Sequence, residues 1–430
     1  MKIHILGIAG SMSTPLALAL QRQGHQITGS DQEKIYPPFS TMLSKNKIKV
    51  NTQPMDTSID LIITNGAFNT FENTKKEFEE SKKIGIPHLS ATEYIAKYLI
   101  KKESILVSGS VGKTTTTAIL SWIFLKLKLN PSYFVAGQFT KNIPSCQIND
   151  SKHSIVEAGE DFHGLETKAK FLYYPVKYLI LTSAKWEHKD CYKTETDNLL
   201  AYQKLLEKLP TDGVLIYNDK DQDIQKILPF CKSKKISYVN QEFDTSLLGT
   251  HNQQNIAAAY TLCKYFGLNE NKIINAIKSF PGVKLRLELI SNTNNILFFN
   301  DFAQSADRIK TTILAIKAKY PHRNIYVILE PHAGFLQFKK SINELSNSFD
   351  KVSQIFLTKI SFSKNLDKEN RITFLDYKTI FGDNIKYLPM TSDLIDTATS
   401  ILKSGDILIR FSSGGLDGQK SFHKIIKFFK

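Results

Sequence analysis

The residues best suited to chemistry lie in one stretch, Glu103 to Phe124, reading ESILVSGSVGKTTTTAILSWIF. Apolar Ile105, Leu106 and Val107 read as a short strand, and Ile119, Leu120, Ile123 and Phe124 recur at helical spacing. The turn between them, Gly109-Ser110-Val-Gly112-Lys113-Thr114-Thr115, suits a phosphate chain. Its glycines let backbone N–H groups close in, and the following helix N-terminus adds its dipole. The Lys113 ammonium reaches the terminal phosphates, and the Thr114 hydroxyl can ligate Mg²⁺. The longer GxxxxGK form would place a glycine at Val107, so this is the compressed GxxGKTTT version. A bare glycine turn with a surface lysine would not need a strand before it and a helix after it. The chain is expected to bind a nucleoside triphosphate.

Four further groups stand near the ends of expected strands. Gly7, Gly10 and Ser11 follow a strand over 2–8, and a second strand over 25–30 ends at Asp31. Strand, glycine turn, helix, strand and acid make a Rossmann-like unit in which the acid takes ribose hydroxyls. The third glycine of GxGxxG is missing, which weakens a nicotinamide reading. Glu157 closes a strand over 154–156, about where a metal-ligating acid sits in P-loop proteins. His188 follows a strand over 176–181 and points to the crevice beyond the strand ends; taken alone, such a histidine is more often an ordinary surface residue. His251-Asn252-x-x-Asn255 opens a helix over 256–266, either as polar groups sharing one face or as an asparagine-capped helix start.

The elements that must position these groups alternate between strand and helix along the chain, which predicts α/β architecture with parallel, doubly wound sheets. Helices are expected over 307–319, 339–349 and 421–429, with strands over 296–299, 325–329, 354–357 and 406–411. Residues 280–288 read as a linker, giving domains 1–101, 102–284 and 285–430. At 430 residues, 42% hydrophobic and 23% charged, the composition fits a globular protein with ample cores. No window approaches the apolar run of about 18 residues that a membrane helix needs. The opening MKIHILGIAG runs straight into a strand without a signal-peptide layout, so a cytoplasmic location is expected. Cys146, Cys191, Cys231 and Cys263 are spaced for neither zinc nor a disulfide framework, and read as free thiols. The net charge of +15 is spread over lysine doublets such as Lys75-Lys76 and Lys234-Lys235, which read as solvated helix or loop faces. No nucleic-acid motif accompanies them.

The order of a Rossmann-like unit, GxxGKTTT, then HNxxN with a basic linker about 30 residues on resembles the Mur ligases over essentially the whole chain. That family comprises the ATP-dependent amide ligases of peptidoglycan synthesis. HILGIAG, the YPPFSTML loop after GSD and the late SSGG are similar to the branch that acts on UDP-N-acetylmuramate. The resemblance implies three domains: a Rossmann-like domain for the UDP substrate, a central P-loop ATPase-type domain and a C-terminal Rossmann-like domain. It implies ATP and Mg²⁺ as cofactors, and an amino-acid or short-peptide amine as second substrate in a monomer or weak homodimer. YPPFST, LEP and SSGG favour the tripeptide L-alanyl-γ-D-glutamyl-meso-diaminopimelate over L-alanine as that amine.

Residue by residue, Gly109, Ser110, Gly112, Lys113, Thr114 and Thr115 would hold ATP phosphates. Thr114, Glu157 and His188 would hold Mg²⁺, with Lys113, Glu157 and His188 as the catalytic set. His251, Asn252 and Asn255 would surround adenine, with Arg286 at the phosphates and Asp301 at the nucleotide. Gly7, Gly10, Ser11 and Asp31 would contact the uridine diphosphate. The chain departs from the family at Asp301-Phe-Ala-Gln304-Ser305-Ala306, where two histidines and a proline are expected. It departs again at Gly159, Ser183 and Glu187, and at His332, which follows Glu330-Pro where an arginine is expected. These changes fall near the incoming amine, so a ligase with another acceptor, or a non-catalytic nucleotide-binding relative, is the alternative.

Overall fold

Ile105, Leu106 and Val107 have no exposed surface, as a parallel strand covered by helices on both faces requires. The computed structural model describes the chain except residues 52–56, 189, 239–240, 332–333, 363–366 and 413–415. Expectations on His332 and on the glycines of SSGG therefore lie outside the described residues. The chain divides into two compact units, 1–246 with 252–282, and 247–251 with 283–430. Among the described residues, no helix is long and apolar enough to cross a membrane.

The first unit contains two sheets. One comprises β1 (Lys2–Leu6), β2 (Gln26–Ser30), β3 (Lys49–Val50), β4 (Leu61–Thr64) and β5 (His88–Ser90) in the order β3-β2-β1-β4-β5. The other comprises β6 (Glu103–Ser108), β7 (Ser132–Phe134), β8 (Cys146–Gln147), β9 (His153–Glu157), β10 (Tyr178–Leu181), β11 (Val214–Tyr217) and β12 (Lys234–Ser237). Its order is β12-β11-β10-β6-β9-β7-β8. In both sheets the first strand lies between neighbours that arrive from opposite directions. The loop after that strand therefore opens at a topological switch point, where α/β sheets bind ligands. Both glycine turns, after β1 and after β6, occupy such places.

Pairing in these sheets is parallel except for β7 with β8. The helix Ser13–Arg22 is tied to β8 and its flank, with Arg22 donating to the Cys146 carbonyl at 2.6 Å and Gln23 to that of Ile148 at 2.9 Å. Lys234 and Lys235 are exposed on the edge strand β12, not on the helix or loop face expected for them. Lysine on an edge discourages pairing with another chain.

The second unit is built on β13 (Glu288–Thr293), β14 (Ile296–Asp301), β15 (Ile325–Leu329), β16 (Gln354–Leu357), β17 (Ile385–Tyr387) and β18 (Ile407–Phe411). Their order is β13-β14-β18-β15-β16-β17, with β13 antiparallel to β14 and the rest parallel. The helix expected over 339–349 is broken, leaving a 3₁₀ turn Lys339–Ser341 and one α turn Ile342–Leu345. Ser346 Oγ donates to the Asn343 carbonyl at 2.8 Å, and Ser348 Oγ to that of Ala306 at 3.1 Å. The Ser346 hydroxyl offers the backbone a local partner that weakens a helix, and Ser348 is held by a carbonyl 42 positions away. The last helix starts earlier than expected, at Leu416.

Candidate functional site

β6 ends at Ser108, and the helix Lys113–Lys126 begins four residues after Gly109. Gly109 (φ +132°) and Gly112 (φ +86°) hold backbone conformations that side chains rarely adopt. A Cβ on Gly109 would also meet the Ser183 amide at 2.7 Å, and one on Gly112 would meet Asn255 Oδ1 at 2.5 Å. Both glycines are thus required by the space as well as by the turn. Ser110 Oγ donates to Ser183 Oγ at 2.9 Å, while Thr114 and Thr115 are buried in the first helical turn.

Lys113 curls back over this turn, donating to the Gly109 carbonyl at 2.5 Å and to Glu160 Oε2 at 2.8 Å. Glu160 is 1% exposed, and its other oxygen, Oε1, makes no hydrogen bond among the described residues. His188 Nε2 lies 3.5 Å from that oxygen. Thr114 donates to Glu157 Oε1 at 2.7 Å, and the Ala136 amide donates to Glu157 Oε2 at 2.8 Å. Thr114 and Glu157, expected together, are in direct contact. His188 joins the group through Glu160.

Glu160 was not among the expected site residues; the sequence offers it only as an acid three residues beyond Glu157. The Thr114 hydroxyl and the Glu157 carboxylate supply hard oxygen donors suited to a divalent cation such as Mg²⁺, and Glu160 links Lys113 to His188 beside them. Next to it, burial alone would raise the Asp161 carboxyl, but the Lys170 ammonium outweighs this and holds it below the ordinary carboxylate value. For Lys170, burial is likewise outweighed by Asp161 and Glu166, and its pKa is raised.

The helix Thr250–Tyr265 brings Asn252 and Asn255 to the same turn. Asn255 Oδ1 accepts from Thr116 Oγ1 at 3.2 Å, and Asn255 Nδ2 donates to Asn252 Oδ1 at 3.2 Å. Both asparagines lie inside the helix and not at its cap, and Asn255 backs the glycine turn.

At the other glycine turn, Gly7 (φ +75°) packs on Asn65, whose amide donates to the Gly7 carbonyl at 2.5 Å. A Cβ on Gly10 would lie 3.1 Å from Asn65 Nδ2, and Ser11 is exposed beside it. Asp31 Oδ2 accepts from the Ala9 amide and Oδ1 from the Gln32 amide, both at 2.8 Å. Burial raises the Asp31 pKa against the pull of those amides. The acid thus shapes the glycine turn directly. Asn65 was not expected here; its only sequence signal is its place directly after a strand.

His251, Arg286 and Asp301 belong to the second unit. Gly249 (φ +90°) packs on the His251 ring, and burial pushes that imidazole down to about 4, keeping it neutral. Asp301 is buried and accepts from the Leu287 amide at 2.6 Å and the Ala303 amide at 2.7 Å. Burial raises its pKa, and Arg286 partly offsets the rise. Arg286 stands between Leu285 (φ +59°) and Leu287 (φ +49°), a left-handed pair uncommon for leucine. Its guanidinium lies over the Phe302 ring, 5.7 Å from the centroid.

The Mur ligase family, catalytic domain, matches residues 2–102, and the Mur ligase middle domain matches residues 107–242. The chain is 26% identical to UDP-N-acetylmuramate–L-alanyl-gamma-D-glutamyl-meso-2,6-diaminoheptandioate ligase of Escherichia coli, over 97% of this chain and 96% of that protein. It is 28% identical to UDP-N-acetylmuramate–L-alanine ligase of Borreliella burgdorferi, over 96% of each chain. Among solved structures, murein peptide ligase of Psychrobacter arcticus has a TM-score of 0.71 at 21% identity, covering 99% of this chain and 98% of that one. UDP-N-acetylmuramate–alanine ligase of Thermotoga maritima has a TM-score of 0.79 at 19% identity, covering 100% and 99%.

Proposed function

The chain belongs to the Mur ligase family, and on that premise we propose that it joins UDP-N-acetylmuramate to the amine of L-alanyl-γ-D-glutamyl-meso-diaminopimelate at the expense of ATP. The reaction class is ATP-dependent amide ligation in peptidoglycan metabolism. The observation that carries this reading is the pairing of Lys113 with Glu160 and of Thr114 with Glu157 around one glycine turn.

A carboxylate resists attack by an amine until one of its oxygens becomes a leaving group. ATP supplies the phosphoryl group, and the resulting acyl phosphate is then attacked by the amine. Lys113 binds the β- and γ-phosphates, exchanging its contact with Glu160 for contacts with phosphate oxygens. The amides of the turn and the helix N-terminus hold the phosphate chain in line. Thr114, Glu157 and His188 would hold Mg²⁺, which offsets the charge of phosphate and carboxylate as they meet. Glu160 orients His188 from 3.5 Å away. Gly7, Gly10, Ser11 and Asp31 bind the uridine diphosphate at the other switch point, and Asn65 supports their turn. Asn252 and Asn255 back the ATP turn toward the base.

A second reading, L-alanine as acceptor, is favoured by the 28% identity to the Borreliella burgdorferi enzyme. Phosphate release from ATP and UDP-N-acetylmuramate separates the two. Release with the tripeptide alone supports the proposal, and release with L-alanine alone supports the second reading. Silence with both, while ATP still binds, rejects each.

A further inference from the structure

In the segments that follow β9 and β10, three side chains of different chemistry converge on one point. His163 Nε2 lies 3.8 Å from Asp190 Oδ2 and 3.9 Å from Cys191 Sγ, and the three donor atoms lie within 4.8 Å of one another. Ligands about 2.0–2.3 Å from a tetrahedral Zn²⁺ stand roughly 3.3–3.7 Å apart. The two separations from His163 need to close by only a few tenths of an ångström, and the third, between Asp190 and Cys191, by about 1 Å at most. His163 and Asp190 are exposed, so an ion can enter and a water can fill the fourth position. The other three cysteines are buried, which leaves Cys191 as the thiol an ion can reach.

We propose that His163, Asp190 and Cys191 form a binding site for Zn²⁺, sharing no donor with the Mg²⁺ set of Thr114, Glu157 and His188. Imidazole and thiolate select a borderline metal over Mg²⁺. Binding forms a sulfur–metal bond and releases the Cys191 thiol proton to solvent; no electron is transferred. His163 lies in the segment after β9 and Asp190 with Cys191 in the segment after β10, so the ion staples the two together. Those same segments carry Glu160 and His188. Asp190 Oδ1 is 3.6 Å from His188 Nδ1, so an ion on Asp190 Oδ2 fixes the carboxylate that faces the catalytic-site histidine. The site stands independently of the ligase reading, since its donors take no part in holding ATP.

The test uses the full-length, reduced protein with Co²⁺ as a spectroscopic probe. The expected result is one Co²⁺ with strong tetrahedral visible bands and a near-ultraviolet thiolate charge-transfer band, bleached by Zn²⁺. Cys191→Ser should lose the charge-transfer band, and His163→Ala should weaken binding at least about tenfold. A second measurement needs no variant: saturating Zn²⁺ should block alkylation of Cys191 by iodoacetamide, read by peptide mass. Co²⁺ binding without a thiolate band, or Cys191 alkylation unchanged by saturating Zn²⁺, overturns the proposal.

Discussion

Lys113 donates to the Glu160 carboxylate at 2.8 Å, and Glu160 is 1% exposed. This places a buried negative charge on the ammonium that the proposed mechanism gives to the β- and γ-phosphates. ATP must draw Lys113 away from that partner. A hydrogen bond to a charged group contributes about 1.5–3 kcal/mol, enough to matter for affinity.

Glu160→Gln should therefore tighten ATP binding, by about tenfold for a change near 1.4 kcal/mol. It should also lower kcat by at least about tenfold, because the oxygen facing His188 at 3.5 Å loses its charge. Calorimetric titration with ATP and a phosphate-release assay measure the two effects. Unchanged affinity would remove Glu160 from this role.

Gly112→Ala places a Cβ at φ +86°, 2.5 Å from Asn255 Oδ1. The strained conformation costs about 1–2 kcal/mol by itself, and the clash adds to it. The variant should lose at least about tenfold in ATP affinity. Adding Asn255→Ala removes the clash but not the strain, so the pair should be less damaging than the sum of the two changes. Strict additivity would show that Asn255 does not back the turn.

The glycine turn was legible because its information is local: apolar strand, small residues, lysine and apolar helix lie within 22 consecutive residues. Glu160 was not, because its partner Lys113 is 47 positions away and only pairing of β6 with β9 brings them together. Asn65 depends in the same way on β1 pairing with β4, 58 positions away from Gly7. The alternation that predicted parallel sheets served for most interior strands, though not for the three-residue β7. It missed β13, a half-exposed antiparallel edge strand whose Glu-Leu-Ile-Ser-Asn-Thr carries no clear apolar run. Serine competition for the backbone likewise broke the helix expected over 339–349, an effect the apolar pattern there could not reveal.

In the second unit, Arg410 and Glu330 form a bidentate pair at 2.9 and 2.8 Å, with 2% and 0% exposure. Arg410 also donates to Ser412 Oγ at 2.9 Å. Breaking such a pair leaves one charge buried without its counter-ion, at a cost of about 3–5 kcal/mol. Glu330→Leu should lower stability by that order in denaturant unfolding. The double variant Glu330→Leu with Arg410→Met should recover much of the loss. If the double variant is as unstable as the two losses summed, the pair is not what Arg410 requires.

Acid should weaken the protein through His251, whose imidazole burial pushes from 6.5 down to about 4. The folded state holds this ring neutral, while the unfolded chain protonates it at about 6.5. Its contribution to stability is therefore complete above pH 6.5 and falls progressively as pH drops toward 4. At about 1.36 kcal/mol per pKa unit, the loss over that window reaches roughly 3 kcal/mol. His25, His88 and His153 are also lowered by burial and act in the same direction. Asp161, held below 3.8, loses its contribution only at lower pH. The diagnostic quantity is thus the difference between wild type and His251→Gln. The variant should show a shallower decline in stability between pH 7 and 4.5 by urea unfolding. Parallel curves for the two proteins would mean that His251 titrates as it does in the unfolded chain.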